Sequence, residues 1–282
     1  MTRAAGGARL IVHADDFGLS EAVNRGVLAA HENGIVTSTS IMAGGDAFAH
    51  AAALAKSHPS LDVGVHLTLT EQRPIADSVP SLVGADGRFA PHATRFAARY
   101  LRGEIALADV RAELQAQIRR VREHGIAPSH LDGHQHVHVL PGIARVVAEL
   151  ARENGIRAVR VPAERLRGYM LGDMSRLKRV VEQLAIGALG GLSPLGPLRR
   201  VDRFVGFYFG GRLTEKNLRT VLTHLPAGGT VELMCHPGLA DPASPYARWG
   251  YSWAAETAAL SSSGTRALLA ERGVQLIGYR DV

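Results

Sequence analysis

Short apolar segments alternate with helical patterns along most of this chain of 282 residues. Alternation of this kind predicts the α/β class, with a mainly parallel sheet and helices packed outside it. Seven or eight strand–helix units follow one another in the sequence, and that number favours a barrel over an open sheet. We therefore expect a single domain over residues 1–282. The expected strands cover residues 10–14, 38–42, 62–69, 129–131, 157–161, 201–209, 230–235 and 274–277.

The expected helices lie between these strands. They cover residues 20–33, 46–57, 94–101, 108–124, 141–155, 214–223 and 253–270. Ser20 is a suitable N-cap for the first helix, and Pro141 suits the first turn of the fifth. Residues 162–200 follow no regular pattern, so no element is predicted there.

Polar residues that can bind metal or move protons follow four of the expected strands. Asp15 and Asp16 end the first strand, His66 lies near the end of the third, and His236 follows the seventh. The fourth strand leads into residues 130–138, where four His and one Asp occupy nine positions. Loops at the carboxyl ends of parallel strands build the active sites of such folds, so these groups are expected to meet.

Each of these groups also has a simpler explanation. The two Asp residues could cap the following helix, His66 could be a satisfied core residue, and His236 could be held by the Pro-Gly turn after it. The His-rich segment could be a surface tract, and an extended backbone there would place His134, His136 and His138 on one face. Local spacing alone therefore leaves all three as candidate ligands.

Composition excludes several classes of protein. The single cysteine, Cys235, rules out a disulfide scaffold and a multi-cysteine zinc site. No segment approaches the ~20 continuous apolar residues that span a bilayer, and no apolar core follows the N-terminal charges, so a cytoplasmic protein without a signal peptide is expected. The net charge of +6 comes mostly from scattered Arg, so nucleic-acid binding is not expected.

Six segments of the sequence resemble one family, the YdjC-like carbohydrate deacetylases, which include chitooligosaccharide deacetylases. These segments occur in the family's order and span nearly the whole chain. They cover residues 14–20, 34–39, 64–67, 130–138, 234–237 and 278–282.

The resemblance implies a distorted (β/α) barrel that hydrolyses the N-acetyl group of a sugar. It also implies one divalent metal ion, zinc or magnesium, held by Asp16, His66 and His134. Asp15 would be the general base, and His236 would protonate the leaving amine. Gln135 departs from the family pattern, which often has His there, but that position is not a ligand.

Four further residues are expected to support this site without binding the metal. Asp132 would orient a His ring. Arg160, at a strand end, would pair with an active-site carboxylate, although a surface position is an equal alternative. His136 and His138 are the other two residues expected to lie beside the metal ligands.

A narrower resemblance, carried by residues 83–89 and 157–164, points to the hopanoid-biosynthesis-associated branch of the family. That branch implies an N-acetylglucosaminyl group on a hopanoid lipid as substrate, with soluble chitooligosaccharides such as diacetylchitobiose as the alternative. Residues 184–198 are apolar and small and have basic neighbours on both sides. Residues 184–200 are thus expected either to touch the inner face of the membrane peripherally or to be a buried connection.

Two other functions could use a similar set of carboxylates and imidazoles. A metal phosphoesterase is disfavoured because paired metals would usually need more carboxylates. A non-catalytic metal-binding module is disfavoured because neither Asp15 nor His236 is needed merely to hold an ion. A homodimer is the candidate assembly.

Overall fold

A parallel sheet forms the centre of the computed structural model, which describes residues 7–195 and 198–282. Seven strands follow the order β5-β4-β3-β2-β1-β7-β6, and β8 pairs with β1 at its beginning. All the strand pairs are parallel. The strands are β1 (Arg9–Phe17), β2 (Ser38–Ile41), β3 (Asp62–Leu67), β4 (His130–Gly133), β5 (Ala158–Val159), β6 (Arg203–Val205), β7 (Thr230–Cys235) and β8 (Gln275–Leu276).

The sheet curls until its two outer strands approach each other. Glu164, shortly after β5, forms a parallel bridge with Phe204 of β6. Its carboxylate also accepts hydrogen bonds from the backbone N–H groups of Gly206 and Tyr208, at 3.0 and 2.9 Å. The predicted distorted (β/α) barrel is therefore confirmed.

Helices follow the strands along the outside of the sheet, as the alternating pattern predicts. Ser20 caps the first of them and accepts a hydrogen bond from the Val23 N–H at 3.2 Å. The helices of the described chain are α1 (Glu21–Glu32), α2 (Phe48–Ser57), α3 (Ala93–Leu101), α4 (Leu107–Glu123), α5 (Pro141–Glu153), α6 (Leu177–Leu192), α7 (Glu215–Thr223), α8 (Trp253–Ser261) and α9 (Ser263–Glu271).

Two helix predictions need correction. Helix α6 lies in the region where no element was predicted. The single helix predicted for residues 253–270 is two helices, because Ser262 has an extended backbone and its side chain caps α9 by accepting from the Gly264 N–H. Among the described residues, no helix is long and apolar enough to cross a membrane.

Strand β1 shows how the sequence separates an apolar exterior from a polar interior. Leu10, Val12 and Ala14 belong to the apolar cluster that the helices cover. The intervening His13 and Asp15 face the inside of the barrel, where they meet other buried polar groups. This period of two places the carboxylate of Asp15 inside the barrel at the end of β1.

Candidate active site

The polar residues that end the strands converge at one rim of the barrel. Asp16 ends β1, His66 lies in β3, and His134 directly follows β4. Asp16 Oδ1 lies 3.4 Å from His66 Nε2 and 3.1 Å from His134 Nδ1. All three side chains are buried.

This group of three has the character of a cation site. Asp16 Oδ2 and His66 Nε2 are buried and make no hydrogen bond within the described chain, and such unsatisfied groups are costly. One potential ligand atom from each residue lies within 4.8 Å of the others. One carboxylate and two imidazoles are donors that suit zinc and other divalent ions, so the residues fit one metal ion.

The surrounding charges favour a cation at the same place. Burial works against ionisation of Asp16, yet the hydrogen bond from His134 and the nearby ring of His66 hold the pKa of its carboxyl well below the ordinary value. Burial also works against an imidazolium at His66, yet the charge of Asp132 raises the pKa of His66 to about 10. Asp16 is therefore ionised, and the raised pKa of His66 reflects nearby negative charge that a positive ligand would also neutralise.

Backbone strain is concentrated around His134. Within the described residues, the non-glycine residues with left-handed backbone are Asp16, Glu71, Gln135 and His136, with φ between 51° and 65°. Asp16 lies at the end of β1, and the other three lie in segments that follow β3 and β4 and form this site. Such conformations persist where the surrounding structure imposes them, and they cluster at functional sites.

Two residues that the sequence analysis missed hold the His134 ring. Glu71 Oε2 lies 3.1 Å from His134 Nε2, on the opposite side of the ring from Asp16. Trp249 stacks on the same ring with 5.4 Å between centroids. Neither residue lies at the end of an apolar strand, so the pattern that found the other candidates could not find them.

The extended geometry considered for residues 134–138 is wrong. Residues His134–Val139 form a 3₁₀ segment, and left-handed backbone at Gln135 and His136 turns the following side chains away from His134. His136 packs against Phe207, with 5.4 Å between ring centroids.

His138 has a different partner, because its Nε2 donates a hydrogen bond to the Arg160 carbonyl at 3.1 Å. Burial lowers the pKa of His138 to about 4, so its ring is neutral and can make this donation. Both His136 and His138 therefore lie beside the cation site without joining it.

Asp15 faces a different set of partners from Asp16. The guanidinium of Arg160 donates to both oxygens of the Asp15 carboxylate, at 2.7 Å each. Burial opposes ionisation, but this cation keeps the pKa of Asp15 below its ordinary value. Asp15 is therefore ionised and oriented, as a proton acceptor must be.

Asp132 contacts both His66, beside Asp16, and Arg160, beside Asp15. Its Oδ1 lies 2.9 Å from His66 Nδ1, and its Oδ2 lies 3.0 Å from Arg160 Nη1. Ser40 also donates to this carboxylate, at 2.9 Å. The carboxylate thus fixes the ring of His66 so that Nε2 points towards Asp16.

His236 lies on the other side of Asp15. Its Nε2 is 4.0 Å from Asp15 Oδ2, and its ring packs against Tyr251. The backbone N–H of His236 donates to Glu256, a buried residue of α8, at 2.6 Å. Glu256 also accepts from Leu213, so this one carboxylate fixes the loop that carries His236.

An open cavity of about 840 Å³ adjoins the site at Glu71. Its volume falls in the range of small-molecule sites. Much of its lining comes from the segment after β3 and from α3. The charged and titratable residues in the lining are Glu71, Asp86, Arg88, His92, Arg95, Arg99 and Arg248.

Comparison with known proteins identifies the family of this chain. The family model described as YdjC-like protein matches residues 9–271. The chain belongs to the YdjC-like family. A carbohydrate deacetylase of Geobacillus stearothermophilus is 38% identical over 276 residues, which cover 96% of each chain.

Two further similarities extend over the whole YdjC-like fold. A chitooligosaccharide deacetylase of Klebsiella pneumoniae is 34% identical and aligns with 97% of this chain and 98% of its own length. A crystal structure of an Enterococcus faecalis protein superposes with a TM-score of 0.76 at 26% identity and covers 98% of both chains.

Proposed function

We propose that this YdjC-like protein is a metal-dependent hydrolase that removes the N-acetyl group from an N-acetylglucosamine unit. One observation carries the proposal: Asp15 and Asp16 are neighbours, but only Asp16 lies beside both His66 and His134. The other cluster that contains His66, with Asp15 and Asp132, already holds the guanidinium of Arg160. Asp15 instead lies between Arg160 and His236. Asp16 would therefore bind the metal, and Asp15 would be the carboxylate that accepts a proton.

Asp16, His66 and His134 would hold the metal ion. When bound, such an ion polarises a carbonyl group and lowers the pKa of water. Asp15, kept ionised by Arg160, would take the proton from the attacking water. His236 would then donate a proton to the amide nitrogen, because an amine does not leave as an anion.

The names of the relatives support the same chemistry. The Geobacillus relative is a carbohydrate deacetylase and the Klebsiella relative is a chitooligosaccharide deacetylase. The cavity beside Glu71 supplies the space in which a sugar would lie.

A lipid-linked sugar is our proposal for the substrate. Helix α6 carries exposed Leu177, Val181, Leu184 and Leu192. Their spacing places them on one face of the helix, while Gln183 on the opposite face is buried and donates to the Glu164 carbonyl. Such a stripe suits peripheral contact with a membrane that presents the substrate.

Helix α6 is also close to the catalytic rim. Ser193, at its end, donates to the Val139 carbonyl in the segment that begins with His134. Of the segment 184–200 singled out in the sequence, residues 196 and 197 lie outside the described residues. The choice of a hopanoid as the lipid rests on the sequence resemblance in residues 83–89 and 157–164.

Soluble chitooligosaccharides are the alternative substrate, favoured by the name of the Klebsiella relative. Acetate release should be measured on an N-acetylglucosaminyl hopanoid and on diacetylchitobiose, each with and without a chelator. We expect faster release from the lipid-linked sugar and loss of both activities with chelator. Faster release from diacetylchitobiose would favour the alternative, and no release from either would refute deacetylation.

Membrane contact can be tested separately by co-sedimentation with anionic vesicles at low salt. Replacing Leu177, Val181 and Leu184 together by Ser should abolish sedimentation. Leu101→Ser, which alters an exposed leucine of α3, is the control and should leave it unchanged. Absence of binding by the unaltered protein would rule out the proposed contact.

A further inference from the structure

A buried series of hydrogen bonds connects the C-terminal end of the chain to Asp15. Arg160 uses its two Nη atoms for Asp15 and its Nε for Glu232 Oε1, at 2.7 Å. The other oxygen of Glu232 accepts a hydrogen bond from the hydroxyl of Tyr279. Tyr279 is 2% exposed, and Arg160 and Glu232 are fully buried.

The position of Tyr279 is fixed from two sides. Its ring stacks on His130, with 3.9 Å between centroids. The next residue, Arg280, is attached to Asp62 of β3 by a backbone hydrogen bond of 2.9 Å and an ion pair of 3.1 Å. The Tyr279 hydroxyl therefore reaches Glu232 from a rigid anchor.

Burial raises the pKa of Tyr279, so its hydroxyl remains a donor. Glu232 consequently receives donors on both oxygens, from Tyr279 and from Arg160, and a buried carboxylate requires such partners.

The guanidinium group of Arg160 is planar, so a hydrogen bond at one of its nitrogens also orients the other two. Once Glu232 fixes Nε of Arg160, the plane of its two Nη atoms is also fixed. The carboxylate of Asp15 then aligns with those two donors. Asp132 lies 3.0 Å from the same guanidinium and would compete for it if Glu232 were displaced.

We propose that Tyr279 and Glu232 are positioning residues, which act through Arg160 to orient the carboxylate of Asp15 for proton transfer. The catalytic consequence rests on the deacetylase function proposed above. The geometric consequence, an oriented Arg160 and Asp15, does not depend on it.

The first test is Tyr279→Phe, which removes the hydroxyl and keeps the ring stacked on His130. We expect kcat for acetate release to fall about tenfold, with KM and metal content unchanged. Tyr208→Phe is the matched control, because it removes a buried hydroxyl that donates only to the Met170 carbonyl, at 3.3 Å. It should leave kcat unchanged.

A merely structural role for Tyr279 would lower the melting temperature and leave kcat per folded molecule unchanged, and that result would overturn the proposal. If Tyr279→Phe fails to fold, Glu232→Met tests the same link. Its unbranched apolar side chain accepts from neither Arg160 Nε nor the Tyr279 hydroxyl, so the same loss of kcat is expected. An unchanged kcat in that variant would overturn the proposal.

The second test does not depend on activity. In a ¹⁵N NMR spectrum the Nε–H signal of Arg160, assigned by its loss in Arg160→Lys, should shift in Tyr279→Phe and stay unchanged in Tyr208→Phe. An unshifted signal would overturn the link. A protein inactive on every N-acetyl sugar would refute the proposed function, while this comparison would still decide whether Tyr279 orients Arg160.

Discussion

Asp15 and Asp16 are adjacent in the chain, but their carboxylates face different partners. Asp15 receives two hydrogen bonds from Arg160, whereas Asp16 lies 3.1 Å from His134. The left-handed backbone of Asp16, with φ of 65°, breaks the regular course of β1 between them. A short strand end thus places one carboxylate against Arg160 and the other beside two imidazoles.

Asp15→Asn should therefore separate turnover from metal binding. The amide retains the shape of the side chain but cannot accept a proton, so kcat should fall by on the order of a hundredfold or more. The metal content should not change, because Asp15 is outside the proposed ligand set. Asp109→Asn on helix α4, where the side chain accepts from the Ser81 N–H, is the control. Near-normal acetate release by Asp15→Asn would show that the base is another group.

His66→Ala and His134→Ala should each lose the metal. Each substitution removes one of three proposed ligands and leaves Asp16 with a single imidazole partner. Metal content per chain, measured by elemental analysis after purification, should fall far below that of the unaltered protein. His31→Ala, which removes a ring bonded to the Val36 carbonyl, should retain it. Full metal content in both site variants would contradict the ligand assignment.

The sequence predicted the elements whose signals are local. Strand β1, the cap at Ser20 and the proline at the start of α5 all follow from residues within a few positions of each other. Helix α6 was missed because several of its apolar residues, among them Leu177, Val181 and Leu184, are exposed and do not belong to one buried face, and because its C-terminal part is rich in glycine. The break at Ser262 was missed although residues 261–264 are Ser-Ser-Ser-Gly, a cluster that is typical of a break between two helices.

The site was less predictable because its geometry depends on distant contacts. Spacing left His134, His136 and His138 equivalent, and only the left-handed turn at Gln135 and His136 separates them. The family resemblance selected His134, and this is the one that lies beside Asp16. Glu71 and Tyr279 lie 63 and 47 positions away from their hydrogen-bond partners, so local spacing does not pair them with the site. Tyr279 lies in the last of the six family segments, but that resemblance assigned it no role.

Glu71→Gln should weaken metal binding without abolishing it. The carboxylate of Glu71 holds Nε2 of His134 and thereby turns Nδ1 towards Asp16. Loss of such a partner typically lowers metal affinity about tenfold to a hundredfold. Calorimetric titration of the metal-free protein measures the change. Glu104→Gln, which alters an exposed ion pair with Arg102, is the control, and equal affinity in both variants would remove Glu71 from this role.

Glu164 should make the stability of the barrel depend on pH. Burial raises the pKa of Glu164 from 4.5 to about 7, against the opposing effect of the Tyr208 and Gly206 N–H groups. The pKa of Glu164 is higher in the folded protein than in the unfolded chain, so protonation of Glu164 stabilises the folded state. This stabilisation is complete below pH 4.5, the pKa in the unfolded chain, and is lost as the pH rises to about 7, the pKa in the folded protein. The difference corresponds to about 3 kcal/mol in the free energy of unfolding.

Glu164→Gln isolates this contribution, since glutamine does not titrate. Its amide must face one of two backbone donors, so the variant should be less stable than the unaltered protein at low pH. The contribution of residue 164 to the stability of the variant should not change with pH. Denaturant unfolding at pH 5 and pH 8 should show a smaller decrease for the variant than for the unaltered protein. Glu182→Gln, on the partly exposed side of α6, should keep the original decrease. The same decrease in Glu164→Gln would mean that other groups carry the pH dependence and that Glu164 remains ionised where β5 approaches β6.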